Sequence, residues 1–217
     1  MSLETTLQTL IGWMEVVGVA VFAVSGALEA SRRQMDAVGF MLIATVTGIG
    51  GGTLRDLFLG QTPVAWISSP DIVIVCAGSA LAVFFMAHRL ESRFRILLWA
   101  DAVGLALFCV LGTEKALAAG APALAAVFLG VISATFGGIA RDVLCNEVPL
   151  ILRREIYATA AAIGGGVYAA LISAGVSHSP ALLCAFGAGF AVRAAAIIYK
   201  FSLPGYKSRP GRGRDAA

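Results

Sequence analysis

Apolar residues run along this chain in long blocks, separated by short polar or proline-marked breaks. A helix that crosses a bilayer needs roughly 20 mostly apolar residues. Seven stretches meet that need, at about residues 10–30, 38–59, 71–87, 96–113, 122–144, 155–173 and 180–199. Arg32-Arg33, Pro63 and Pro70, His88 to Arg95, Gly120 to Pro122, Pro149 to Arg154, and Ser177 to Pro180 stand between them. The pattern predicts an all-α membrane protein of seven transmembrane helices. No Lys or Arg precedes the first block and no small-residue cleavage site follows a short core, so that block is expected to be retained as a helix.

A shift of 86 residues superposes two halves of the chain without a gap. Trp13-Met14-Glu15-Val16-Val17-Gly18 falls on Trp99-Ala100-Asp101-Ala102-Val103-Gly104, and Phe22 and Gly26 fall on Phe108 and Gly112. Gly51-Gly52-Thr53-Leu54-Arg55-Asp56 falls on Gly137-Gly138-Ile139-Ala140-Arg141-Asp142, Pro63 on Pro149 and Gly78 on Gly164. This is an internal duplication. Each copy holds three spans, an odd number, so the second is predicted to sit inverted relative to the first. The expected organisation is a first repeat over 10–95, a second over 96–175, a seventh helix over 176–203 and a basic disordered tail over 204–217. Inverted repeats are a mark of transporters and channels, whose pathways form at the repeat interface.

Charge sets the orientation. Arg32, Arg33, Arg89, Arg93, Arg95, Arg153, Arg154, Lys200, Lys207, Arg209, Arg212 and Arg214 fall on one side of the predicted membrane, and the other side holds only Lys115. The positive-inside rule then puts the N-terminus outside and the C-terminus in the cytoplasm. Composition agrees with a membrane setting: 59% of residues are apolar and 13% charged, about half the charge density of a soluble domain. The four cysteines are isolated and form no metal spacing, and no Ser/His/Asp set accompanies His88 and His178, both near loops. An enzyme is therefore disfavoured, and no cofactor, metal or nucleic-acid partner is expected. The basic tail is expected to meet anionic membrane lipids.

Two glycine clusters interrupt the second and fifth spans, Thr47-Gly48-Ile49-Gly50-Gly51-Gly52 and Ser133-Ala134-Thr135-Phe136-Gly137-Gly138. Glycine costs about 1 kcal/mol against alanine inside a helix, so each cluster is expected to weaken or break its span. Carbonyls freed near Thr47 to Gly50 could then replace part of a cation's hydration shell; alternatively, the glycines serve only close helix packing. Glu15, Arg55, Asp56, Asp101, Arg141 and Asp142 are ionisable residues at membrane depth, which are costly and commonly functional. Matching depths predict two pairs, Glu15–Arg55 and Asp101–Arg141, with Asp56 and Asp142 left free to attract cations. The alternative is that all six fix helix register as buried ion pairs. Arg193 and Lys115 are expected to snorkel, and Glu29 with Arg32 and Arg33 to mark the interface.

The Gly-Gly-Gly-x-x-Arg-Asp segment at 50–56, its echo at 137–142, the Asn146-Glu147-Val148-Pro149 that follows and the three-plus-three-plus-one layout resemble the trimeric intracellular cation (TRIC) channel family, in its prokaryotic branch. The resemblance covers about residues 10–200. It implies a homotrimer in the cell membrane, with a pore in each subunit lined by kinked second and fifth helices and passing potassium and other monovalent cations. It carries Gly50, Gly51, Gly52, Gly137 and Gly138 over as pore hinge positions, beside Thr47 and Ser133. Phe136 stands where a third glycine would sit, so an equal kink in the fifth span is not implied. By chemistry alone a small-solute carrier, for example for glycine, stays open beside the channel.

Overall fold

The computed structural model describes residues 3–89, 92–153 and 155–202. The tail expected over 204–217, with Lys207, Arg209, Arg212 and Arg214, lies outside the described residues, as does Arg154. The chain folds into helices α1 (Leu3–Arg32), α2 (Ala37–Phe58), the short α3 (Ala65–Ser68), α4 (Asp71–Met86), α5 (Arg93–Ala118), α6 (Ala123–Leu144), α7 (Ala158–Ser173) and α8 (His178–Tyr199). Six of them are long and apolar enough to cross a membrane. The sixteen-residue α7 rises only about 24 Å, but it too runs from one end of the bundle to the other.

Contacts between loops fix the two ends. At the first, the C-terminal face, Arg33 reaches Glu147 at 2.6 Å and Arg93 donates to the Ser31 carbonyl at 3.3 Å. At the N-terminal face Lys115 reaches Asp56 at 2.9 Å and the Tyr168 hydroxyl lies 2.9 Å from His178 Nδ1. The helices α1, α2 and α4 form one three-helix unit that starts at the N-terminal face. Its duplicate, α5, α6 and α7, starts at the C-terminal face, so the repeats are inverted. The chain is a seven-helix membrane protein with an extra helix, α8, outside the repeats.

Duplicated residues meet across a pseudo-two-fold axis. Phe22 and Phe108 stack with ring centroids 5.4 Å apart, and each ring covers the glycine of the other repeat, Gly104 and Gly18. Small residues let the backbones approach: a methyl group at Gly26 would lie 2.7 Å from the Ile43 carbonyl, and one at its duplicate Gly112 would lie 2.9 Å from Gly130 Cα. The symmetry stops at α8. It packs with α7 over α5, which makes α5 the most enclosed helix, while its duplicate α1 keeps an exposed side with Trp13, Val16 and Val17.

The glycine clusters do not break their helices. Both α2 and α6 run without interruption through them. Interhelical packing compensates the propensity penalty, and the continuous helices keep their backbone groups bonded within the span, as a membrane setting demands. Each helix ends instead about two turns later at a left-handed residue, Gly60 (φ 65°) or Asn146 (φ 53°). There the Gln61 and Glu147 amides donate back to the Asp56 and Asp142 carbonyls at 2.8 Å, closing a Schellman motif.

Candidate functional site

That shared helix end aims both Arg-Asp pairs inward. Asp56 Oδ1 accepts from Arg55 Nε at 2.9 Å and Nη2 at 2.8 Å, while its Oδ2 accepts from the Ala65 amide at 3.1 Å. Asp142 Oδ1 accepts from Arg141 Nε at 2.8 Å, and Oδ2 from the Leu150 amide at 3.0 Å. Neighbours in sequence point about 100° apart on a helix, yet each arginine here pairs with the aspartate that follows it. At the last turn of a helix a long arginine side chain can fold back along the surface, and burial of both groups favours closure. Neither Asp56 nor Asp142 is free: each ties its arginine to the loop that follows, and Asp56 also takes Lys115. Lys115 therefore does not snorkel.

The other two acids part company. Asp101 Oδ1 accepts from Arg141 Nη1 at 2.8 Å, and Ser25 Oγ accepts from the same nitrogen at 2.9 Å. This is the predicted Asp101–Arg141 pair, and both side chains are fully buried. Glu15, the duplicate of Asp101, forms no ion pair with Arg55 among the described residues. With Arg55, Ile11, Leu111, Glu114 and Lys115 it instead borders a cavity of about 250 Å³. A narrower void of about 20 Å³, room for roughly one water, continues past Glu15, Arg55, Gly52 and Thr53 to Phe108. Arg55 already holds Asp56 and has a chamber beside it, so Glu15 is not needed for its neutralisation.

Beyond the void α2 and α6 lie in close contact. A methyl group at Gly51 would overlap the Ser133 carbonyl, and one at Gly137 would overlap the Thr47 carbonyl. These two contacts exchange under the repeat. Thr47 and Ser133 are buried at the crossing; the Thr47 hydroxyl donates to the Ile43 carbonyl at 2.6 Å. Gly50 is different, since its added methyl would sit 3.6 Å from Gly137 Cα, an ordinary contact.

On the far side, a methyl at Gly138 would lie 3.0 Å from the Tyr157 hydroxyl, 3.4 Å from Asp101 Oδ1 and 3.7 Å from Arg141 Nη2. Asp101 Oδ2, Arg141 Nη2 and the Tyr157 hydroxyl are buried there without hydrogen-bond partners. Nearer the C-terminal face, Glu29 pairs with Arg32 at 2.5 Å and Arg33 at 3.5 Å, and Glu147 with Arg33 at 2.6 Å and Arg153 at 3.6 Å. The guanidinium of Arg32 lies 4.8 Å from the centre of the Phe94 ring. Glu29 is thus a buried member of a network that ties α1 to the loop after α6. Sequence reasoning misses this because Glu147 lies in the other repeat, far along the chain. It also misses Tyr157, whose only signal is an aromatic residue at the mouth of a span. Arg193, expected to snorkel, is fully buried and paired with Glu155 at 2.9 Å.

Two centres therefore flank the crossing of α2 and α6. Each has one more carboxylate than it has cations: Glu15, Asp56 and Glu114 against Arg55 and Lys115, and Asp101 and Asp142 against Arg141. Such a field favours cations on both sides of the glycine crossing.

Comparison with known proteins gives a consistent result. A family model described as "Glycine transporter" matches residues 12–88 and 98–173, one match on each repeat. A membrane protein of Vibrio cholerae in the UPF0126 group is 45% identical over 206 residues, 93% of this chain and 85% of that protein. The Escherichia coli inner membrane protein YadS is 42% identical over 197 residues, covering 90% of this chain and 95% of its own. Among solved structures, the TRIC trimeric intracellular cation channel orthologue from Rhodobacter sphaeroides superposes with a TM-score of 0.87 at 50% identity, covering 89% of this chain and all of that one. A TRIC channel from C. elegans with bound Ca2+ shares the fold, with a TM-score of 0.59 at 16% identity.

Proposed function

The chain belongs to the family of the prokaryotic TRIC channels, and from that membership we propose that it is a potassium-permeable monovalent cation channel of the inner membrane, assembled as a homotrimer with a pore in each subunit. The observation that carries this reading is the charged chamber of about 250 Å³ that ends on Arg55, with a narrower void leading on past Gly52. Glu15 and Glu114 line it without ion-pair partners among the described residues. In this reading the N-terminal face is outside and the arginine-rich face is cytoplasmic, in line with the positive-inside rule. Cations collect at Glu15 and Glu114, pass Arg55 and Asp56, and cross where α2 meets α6 when those helices part at Gly51 and Gly137. The second centre, Asp101 with Asp142 and Arg141, receives them. Gly50, Gly52 and Gly138 keep side-chain bulk away from this line, and Thr47 and Ser133 supply backbone carbonyls at its narrowest point.

The test is a planar bilayer recording of purified protein in asymmetric potassium chloride. Discrete current steps reversing near the potassium potential are expected. Replacing both Glu15 and Glu114 by glutamine is expected to lower unit conductance about twofold in about 0.1 M salt, through lost focusing of cations at the mouth. The difference should shrink at about 1 M, where the Debye length falls from about 10 Å to about 3 Å. A double variant that conducts like wild type at both salts removes the chamber from the path.

A second reading, a carrier for a small zwitterion such as glycine, draws on the wording of the family model and on a chamber that offers both carboxylates and cations. Saturable glycine uptake by liposomes that carry no potassium current would favour it.

A further inference from the structure

We propose that α8 holds the cytoplasmic half of the pathway closed, with Tyr157 as the closing group and Arg193 as the residue that positions it; the direction of this inference rests on the orientation proposed above.

The two ends of the pathway are duplicates in sequence but not in state. At the N-terminal face the space between α1, α2 and α5 is a cavity open to Arg55. At the other end the Tyr157 hydroxyl sits in the corresponding corner, against Gly138, Asp101 and Arg141. In the 86-residue register Tyr157 corresponds to Asp71, which is exposed. No aromatic residue therefore stands at the equivalent position of the open end, whereas Tyr157 is almost completely buried.

Tyr157 lies in the link before α7, not inside a helix, so something outside the repeat must hold it. That is Arg193. Its guanidinium lies 4.9 Å from the centre of the Tyr157 ring, within the range of a cation–π contact. Nη2 pairs with Glu155 at 2.9 Å, and Nη1 donates to the Ile156 carbonyl at 3.1 Å. One side chain from α8 thus holds three consecutive residues, 155 to 157. A buried arginine in a membrane helix is expensive, and this one has no duplicate because α8 has none. These contacts all go to the segment that carries the closing group. Glu155 is about one-third exposed, so the pair can exchange with water or an arriving cation without dismantling the bundle.

The corner that Tyr157 fills is polar. Asp101 Oδ2 and Arg141 Nη2 are already there without hydrogen-bond partners, ready to take water. Swinging the 155–157 link outward would join this corner to the cytoplasm while leaving Asp101–Arg141 and the Schellman end of α6 intact.

Two measurements test this. In bilayers, Tyr157→Ala and Arg193→Met are expected to raise open probability about tenfold, a shift that loss of one or two contacts can produce in a two-state equilibrium. Unit conductance and reversal potential should not change. Arg193→Lys, which keeps the charge facing Glu155 and Tyr157, should restore most of the closed state. A residue that served only folding would lower the yield or the unfolding temperature and would not raise open probability. If Arg193→Met alone does not fold, Arg193→Met with Glu155→Gln removes the unpaired carboxylate.

The second measurement does not depend on current. Ser25→Cys, placed beside Arg141 in a Cys184→Ser background, is exposed to a membrane-impermeant maleimide in inside-out vesicles. Labelling is expected to be about tenfold faster with Tyr157→Ala than with Tyr157 present. Equal labelling rates, or folded variants with unaltered open probability, would overturn the proposal. A wild type that passes no current while the labelling difference holds would instead refute the channel reading and leave the closing group in place.

Discussion

Arg141→Met is expected to yield little folded protein, whereas Arg55→Met is expected to purify as a folded species with a modestly lower unfolding temperature. The two arginines are duplicates, and the contrast follows from what surrounds them. Arg141 is fully buried and donates to Asp101, Asp142 and Ser25. Removing it strands two carboxylates in a dry interior, and breaking a buried pair costs about 3–5 kcal/mol. That is a large part of a total stability of about 5–15 kcal/mol. Arg55 shares Asp56 with Lys115 and borders a cavity, so its loss leaves Asp56 with a cation and Glu15 with water. Size-exclusion profiles and thermal unfolding in detergent measure the difference. Adding Asp101→Asn and Asp142→Asn to Arg141→Met should recover much of the loss. Equal behaviour of the two single variants would mean that Lys115 and the cavity beside Arg55 do not offset its loss.

Gly51→Ala and Gly137→Ala form the second large effect. Each added methyl would overlap a carbonyl oxygen of the opposite helix, and backbone cannot step aside as a side-chain tip can. Overpacking of this kind costs about 1–3 kcal/mol and occasionally more, and the upper end is expected here. Gly50→Ala, with its nearest neighbour at 3.6 Å, should be tolerated and gain helix propensity of about 1 kcal/mol. Thermal unfolding of the three variants reads this directly. If Gly50→Ala proved as damaging as Gly51→Ala, the cluster would be acting through backbone flexibility and not through helix approach.

Much of the fold is legible in the chain because membrane solvation is a strict filter. Long apolar runs have to be helices, and the arginine pairs have to lie on alternate loops. The Asp101–Arg141 pair also follows from depth. Local geometry is harder to read. A loosened backbone from Thr47 to Gly50 follows only if propensity decides, whereas α2 and α6 stay helical because each supplies the other's packing surface. The angle between Cβ directions separates Arg55 from Asp56 but ignores the reach of an arginine. Symmetry assigns Glu15 to Arg55, yet Asp56 already holds that guanidinium. Distance from the helix end puts Arg193 at the interface, while its real environment depends on the 155–157 link, which no periodicity predicts.

The stack of Phe22 on Phe108 has a historical meaning. A residue that touches its own duplicate across an axis is what a self-complementary homodimer produces, where both partners present the same patch. The Gly51–Ser133 and Gly137–Thr47 contacts have the same reciprocal form. In such a homodimer any change to that phenylalanine strikes both sides of the contact at once. Within one chain each copy can differ alone. Glu29 and Lys115, which share a register position and now carry opposite charge, record that freedom: one half acquired a cation that reaches across to Asp56, the other an acid that gathers arginines.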